Sequence, residues 1–304
     1  MAIAIFILYF ILAVLVLAFF LLLAIVLSHA GQRRGGKLAR FVIRTQKASF
    51  DIEDTLSGLF QELSFLHIPF SLEITKPALG EQLQITLSAR GMAQESLRQI
   101  LENHLPQNHL EEDHHDHLLW LDGAESLSLN TLRAKRSDLI PFHWKGSFLS
   151  ALSNLNALGE GAQLQILFEQ ADSELVNRWK LFVDDLRNHE FDVTPHLDQN
   201  FELHPENITV LEERLSQPLY RVNVHTLVSA TNEDRLDTIR KKIFSFIQTE
   251  RPQRNSLTVS TRGEYELEDF LMRKFDPEHS FHLSSSEIAR FMLPEEEKHY
   301  PKLY

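Results

Sequence analysis

Apolar positions dominate the start of the chain and then fall into short periodic runs. Residues Met1 to Leu27 carry no charged side chain, no proline and no glycine. About 20 apolar residues of helix cross a hydrocarbon core, and lipid offers backbone amides no partners outside a helix or a closed barrel. The pattern therefore predicts a transmembrane helix over residues 1–28. Ser28-His29-Ala30 loosely fits a leader cleavage site. A secretory leader, however, opens on a basic region and has an apolar stretch of only about 7–15 residues.

Beyond the run, the periodicity changes several times. Ile52, Leu56, Leu59, Phe60 and Leu63 recur at helical spacing, with Asp51 placed to cap the first turn. Phe70, Leu72 and Ile74 alternate, as do Leu83, Ile85 and Leu87, which predicts two strands joined by a turn containing Gly80. Met92 to His104 returns to helical spacing, and Leu118 to Leu121 reads as a short strand. A first α+β module is expected over 49–121, and the weakly patterned 122–141 reads as a link.

A second module is expected over 142–262. Its helix spans about Ser147 to Leu158, stopped by Gly159 and Gly161. A strand through Leu164, Ile166 and Phe168 follows, then a charged helix from Ser173 to Leu186 with Leu175, Trp179 and Phe182 inward. Arg187 to Ser216 reads as an irregular connection, within which His204 to Leu211 is a candidate short element. Tyr220 to Val228 alternates strongly, Thr231 and Asn232 can cap a helix striped by Leu236, Ile239, Ile243 and Ile247, and Ser256 to Ser260 is a last strand. In 263–304, Ser284 and Glu287 have the spacing of a capping box opening a short helix, and the charged Glu295 to Pro301 reads as a linker-like tail. The fold class expected is α+β: a transmembrane helix, then two ferredoxin-like modules with mainly antiparallel sheets.

Charge divides the chain. Of 30 basic and 42 acidic residues, six basic and no acidic ones fall in the first fifty, leaving 24 against 42 beyond them. The six are Arg33, Arg34, Lys37, Arg40, Arg44 and Lys47, a collar over 29–48 that the positive-inside rule places on the cytoplasmic side, next to the lipid headgroups. The acidic remainder repels phosphate, so direct nucleic-acid binding is not expected. Absence of cysteine excludes disulfides and thiolate chemistry.

Candidate chemistry is sparse. His114, His115 and His117, among Glu111 to Asp116, offer imidazole and carboxylate ligands of the kind that suit zinc. They equally read as a solvated acidic loop, because no HExxH helix or second ligand set accompanies them. There is no P-loop, no dinucleotide fingerprint and no GxSxG elbow. Gly159-Glu160-Gly161 reads as a helix stop, and Trp120, Trp144 and Trp179 as core or module-interface residues. No catalytic residue and no cofactor is expected on these grounds.

Several segments together resemble the membrane-anchored N-terminal region of conjugative, type IV secretion-type DNA-transfer ATPases of the coupling-protein and HerA-like group. They are the leading span and collar, Phe50 to Ala89 with Phe-Ser-Leu-Glu-Ile at 70–74, and Leu155 to Glu160 followed by Phe168 and Trp179. Val222 to Ala230 leading into Asp234-Arg235, Asn255-Ser256-Leu257, and Phe281 to Pro294 complete the set. In that family the last segment stands just before the nucleotide-binding domain, usually with histidine where Met292 stands here. The ATPase domain has no counterpart in this sequence, so none of its nucleotide-binding residues carries over. The resemblance implies a non-enzymatic scaffold of a secretion or conjugation apparatus. It would sit in the inner membrane with its C-terminal part cytoplasmic, touch the lipid bilayer, and dock a separate P-loop motor ATPase. A homo-oligomer matching a ring-shaped motor is the analogous assembly. Two other readings remain at this point: a metal-dependent hydrolase using His114 to His117, and an extracytoplasmic membrane-anchored adaptor.

Overall fold

The computed structural model describes residues 38–43, 52–66, 69–76, 84–90, 93–104, 110–113, 124–142, 152, 155, 160–188, 205–247, 254–260 and 266–292. The expected span, most of the basic collar, the strand at Leu118 to Leu121, the tail after Met292 and most of the helix at Ser147 to Leu158 lie outside these residues. Among the described residues no helix is long and apolar enough to cross a membrane.

The first half runs β1 (Leu38–Ile43), α1 (Ile52–Leu63), β2 (Phe70–Lys76), β3 (Gln84–Arg90), α2 (Ala93–His104) and β4 (Leu110–Asp113). The second runs β5 (Ser126–Ala134), β6 (Gly161–Gln170), α3 (Ser173–Arg187), α4 (Pro205–Ser216), β7 (Leu219–Ala230), α5 (Glu233–Ile247) and β8 (Leu257–Val259). A closing segment adds α6 (Leu267–Leu271), β9 (Phe281–Ser284) and α7 (Ser285–Met292). All the strands join one antiparallel sheet in the order β4-β1-β3-β2-β6-β7-β5-β8, with β9 on β7. Each half thus sets its four strands in the spatial order fourth, first, third, second. The halves meet through their second strands, β2 and β6, paired from Phe70 opposite Phe168 to Lys76 opposite Ala162.

One face of the sheet is apolar because alternate side chains of each strand reach it. Leu72, Ile74, Leu87, Leu164, Ile166, Val222, Val224 and Val228 are buried there under α1, α2, α5 and α7 in one continuous core. At the seam, Phe70 stacks on Phe168 with centroids 4.6 Å apart, and Tyr220 meets both rings edge-on. The Tyr220 hydroxyl donates to the Phe60 carbonyl in α1, and burial drives its phenol pKa well up. Gly58 lets α1 approach α2, since a Cβ there would lie 3.3 Å from the His104 ring, whose Nε2 is 2.6 Å from Glu62 Oε2. A second, smaller core joins α3 and α4 through Trp179, Phe182, Ile208, Leu211 and Leu215.

Two expectations are corrected and one is extended. The stretch read as a link contains β5. Its apolar residues change face, Leu129 packing beside Phe270 on one side and Leu132 entering the main core on the other, so no single alternation marks the strand. The basic collar contains β1, where Phe41 is core amid cationic neighbours. The candidate element at His204 to Leu211 is present and longer than expected, as α4, started by Pro205, whose missing amide costs nothing in a first turn. Ahead of the capping helix, residues 266–280, for which no element was expected, form a strap across the second face of the sheet.

Candidate functional site

That second face is polar and nevertheless buried. Ser71, Glu73, Thr86, Ser88, Gln163, Gln165, Asn223 and His225 all occupy it with little exposure. Strand alternation puts them there, opposite the apolar residues of the same strands. Buried polar groups need partners, and the strap supplies many of them. Gln165 Nε2 donates to the Phe270 carbonyl at 3.1 Å, and Asn223 Nδ2 to the Asp276 carbonyl at 2.7 Å. Asn223 Oδ1 accepts from the Asp276 amide at 2.6 Å, and Arg221 donates to Ser280 Oγ and the Pro277 carbonyl. Phe270, packed on Leu227 with Leu129 and Leu271 alongside, is the strap's apolar anchor.

Glu73 stands at the seam between the halves, fully buried. Its carboxylate accepts from Ser71 Oγ at 3.2 Å, Gln163 Nε2 at 3.1 Å and Arg273 Nη2 at 3.1 Å, with a further bond from Arg273 Nε. Arg40 Nη2 of β1 lies 3.8 Å away. Arg40 therefore departs from the expectation that grouped it with residues facing lipid: its side chain is buried and serves Glu73. Arg273 holds the left-handed conformation, φ 51°, uncommon for a side chain with a Cβ.

His225 is held neutral. Burial pushes its imidazole down to about 3; the Asp276 and Asp269 carboxylates act against this and His279 with it. Thr131 Oγ1 lies 3.1 Å from its Nδ1. At Asp276, burial raises the carboxyl pKa, but hydrogen bonds from His279, 2.6 Å away, and from the Glu278 amide outweigh that and leave it below its ordinary value.

A second polar cluster lies at the closing segment. Arg214 of α4 directs Nε to both oxygens of Glu287, at 3.1 and 3.0 Å, Nη1 to the Asp138 carbonyl at 2.8 Å and Nη2 to the His282 carbonyl at 2.8 Å. Glu287 also accepts from the amides of Phe142 and Ser284, each at 2.7 Å. The Glu287 amide donates to Ser284 Oγ at 3.3 Å, so the capping box forms as the spacing predicts. His282 Nδ1 sits 2.9 Å from Asp138 Oδ2, with its ring edge-on to Trp179, 5.1 Å between centroids. Asn255 ties the neighbouring loop down, accepting from the amides of Arg136 and Ser256 and donating to the Ser137 carbonyl. With Arg214 bonded also to the Asp138 and His282 carbonyls, and Glu287 to the Phe142 and Ser284 amides, the pair acts as a fixed clamp.

Of the residues singled out from sequence, Arg33, Arg34, Lys37, Arg44, Lys47, His114, His115 and His117 lie outside the described residues, as do Trp120 and Trp144. Among the described residues no group of side chains has the makeup of a metal site. Trp179 is buried in the smaller core, as expected. Glu160 pairs with Arg235 at 2.6 Å, joining two segments of the resemblance. Sequence reasoning passed over Glu73, Arg214, Arg273 and His282. Glu73 was detectable as a lone acid in an alternating strand, whereas Arg214 lies in a helix whose pattern was weak. No family model and no curated protein matches the chain.

Proposed function

We propose that the chain is a non-enzymatic, membrane-anchored scaffold of a type IV secretion or conjugative DNA-transfer apparatus. In this reading Met1 to Leu27 spans the inner membrane, with Arg33, Arg34, Lys37, Arg44 and Lys47 at the lipid surface. Two ferredoxin-like modules stand in the cytoplasm and dock a separate P-loop motor ATPase. The two modules are supported by the repeated strand order and by the helix pairs on one sheet face.

The observation that carries the reading is the setting of Phe281 to Met292. In the proteins the chain resembles, this segment stands just before the motor domain. Here β9 pairs with β7, α7 packs into the core beside α1, and Glu287 is clamped by Arg214. α7 is thus anchored to both halves, a firm base for positioning a motor.

The test is a mild-detergent pull-down of the intact chain from its own cells, followed by mass spectrometry. Co-recovery of a P-loop ATPase with secretion components is the expected result. Recovery of no motor ATPase, or nucleotide hydrolysis by the purified chain alone, would overturn the reading.

A further inference from the structure

The strap meets the sheet as a bound peptide would. Many of its contacts with the polar face run through its own backbone: the Phe270 carbonyl accepts from Gln165, the Pro277 carbonyl from Arg221, and the Asp276 N–H and C=O both pair with the Asn223 side chain. Such contacts hold a main chain whatever its sequence. Two side chains add selectivity. Phe270, the one buried residue of 266–280, packs on Leu227, and Arg273 presents Nε and Nη2 to the two oxygens of Glu73, a fork that suits arginine and not lysine. The fit is incomplete. Gln165 holds only half a peptide group, since its Oε1 is buried and accepts no hydrogen bond among the described residues. Leu127, two positions from Leu129 on the same face of β5, is left 45% exposed. Arg273 makes its pair from the left-handed conformation, at a cost in backbone strain.

We propose that the face beneath the strap is a peptide-binding surface, and that the strap is its displaceable intrachain occupant. The segment it takes in trans belongs to a partner protein and carries an aromatic residue followed three positions later by an arginine, the spacing of Phe270 and Arg273. A strap exchanged from a second copy would leave Gln165 Oε1 and Leu127 as they are, whereas a different sequence, free of the left-handed arginine, can satisfy both. Being tethered, the strap competes at a high effective concentration, so a partner binds weakly until the strap loosens.

The test is fluorescence polarisation with the full chain in non-ionic detergent. The probe is a labelled peptide of the strap's length, alanine and serine throughout except for one phenylalanine and, three positions on, one arginine. In Arg273→Ala the strap gives up its grip on Glu73, so the peptide should bind this chain saturably and about tenfold or more tightly than the parent. Replacing the peptide's arginine by lysine, or its phenylalanine by alanine, should weaken binding about tenfold, by loss of the paired charge-assisted bonds or of the apolar anchor. Should Arg273→Ala fail to fold, Phe270→Leu loosens the strap at its other anchor and is read in the same way. No saturable binding to the loosened chain, equal affinity for loosened and parent chains, or indifference to the peptide's two marked residues overturns the proposal. So does a parent that is dimeric in light scattering and becomes monomeric in Arg273→Ala, which would make the neighbouring copy's strap the occupant.

Discussion

Single buried polar side chains hold this molecule in register. Arg214 and Glu287 are the strongest case, because each is desolvated and each satisfies the other's charge. Removing one partner of such a pair leaves an uncompensated charge and costs about 3–5 kcal/mol, whereas replacing both with apolar groups of similar volume can be nearly neutral. Glu287→Ala and Arg214→Ala should each lower stability by that amount in urea unfolding, while Arg214→Met with Glu287→Leu should lose much less than the two single changes combined. Single variants within about 0.5 kcal/mol of the parent, the usual range for surface changes, would show that the clamp is not holding the fold. His225 makes a second prediction. Its folded pKa of about 3 lies below the unfolded 6.5, so between those values the unfolded chain binds more protons. Stability must then fall as pH drops from 6.5, by up to about 1.4 kcal/mol per pH unit, with no contribution to the slope above it. Asp276 also has a lowered folded pKa, but it loses its contribution only as pH falls below its ordinary value of 3.8. Urea unfolding between pH 6 and 4.5 lies above the range of Asp276, and His225→Gln should flatten the pH dependence there; an unchanged slope would mean that the buried ring is not the group responsible.

Elements that keep one periodicity were legible in the sequence, and those that change it were not. The stripe through Leu56, Leu59, Phe60 and Leu63 marks α1, the alternation from Tyr220 to Val228 marks β7, and Ser284 with Glu287 marks the start of α7. β5 escaped because its leucines lie on both faces, and β1 because six positive charges drew attention from Phe41. The strap escaped for a different reason: its bonds to the sheet run largely through backbone carbonyls, which any sequence supplies. Of the candidate site, the cap was legible but its partner was not, since Arg214 meets Glu287 across 73 residues and no local spacing encodes that contact. Because the strap carries one buried aromatic anchor and a strained Arg273, it should be the least stable element on that face. Arg273→Ala removes a cation from the buried Glu73, so amides of 266–280 should exchange hydrogen faster while those of β6 and β7 keep their protection. Uniformly faster exchange across the sheet would place the strap inside the global folding unit instead.

At the scale of the whole molecule, two halves with the same strand order share one sheet, and the physical question is whether they behave as one body. Repeated modules separated by a flexible connection would unfold independently. Here the seam strands pair along their length, a single core runs under both halves, and α7, the last described element, packs beside α1, the first helix. The aromatic cluster of Phe60, Phe70, Phe168 and Tyr220 draws its rings from both sides of that seam. Breaking the seam therefore exposes core that belongs to both halves, and such coupling favours a single cooperative transition. Phe168→Ala, at a fully buried ring, should cost about 3–5 kcal/mol, as large-to-small core changes do. Because the lost contacts are shared, the whole transition should move to lower denaturant, with near- and far-ultraviolet circular dichroism still coincident. If the two signals separate in the variant, so that one half melts while the other persists, the halves are joined by geometry alone and the seam does not couple them.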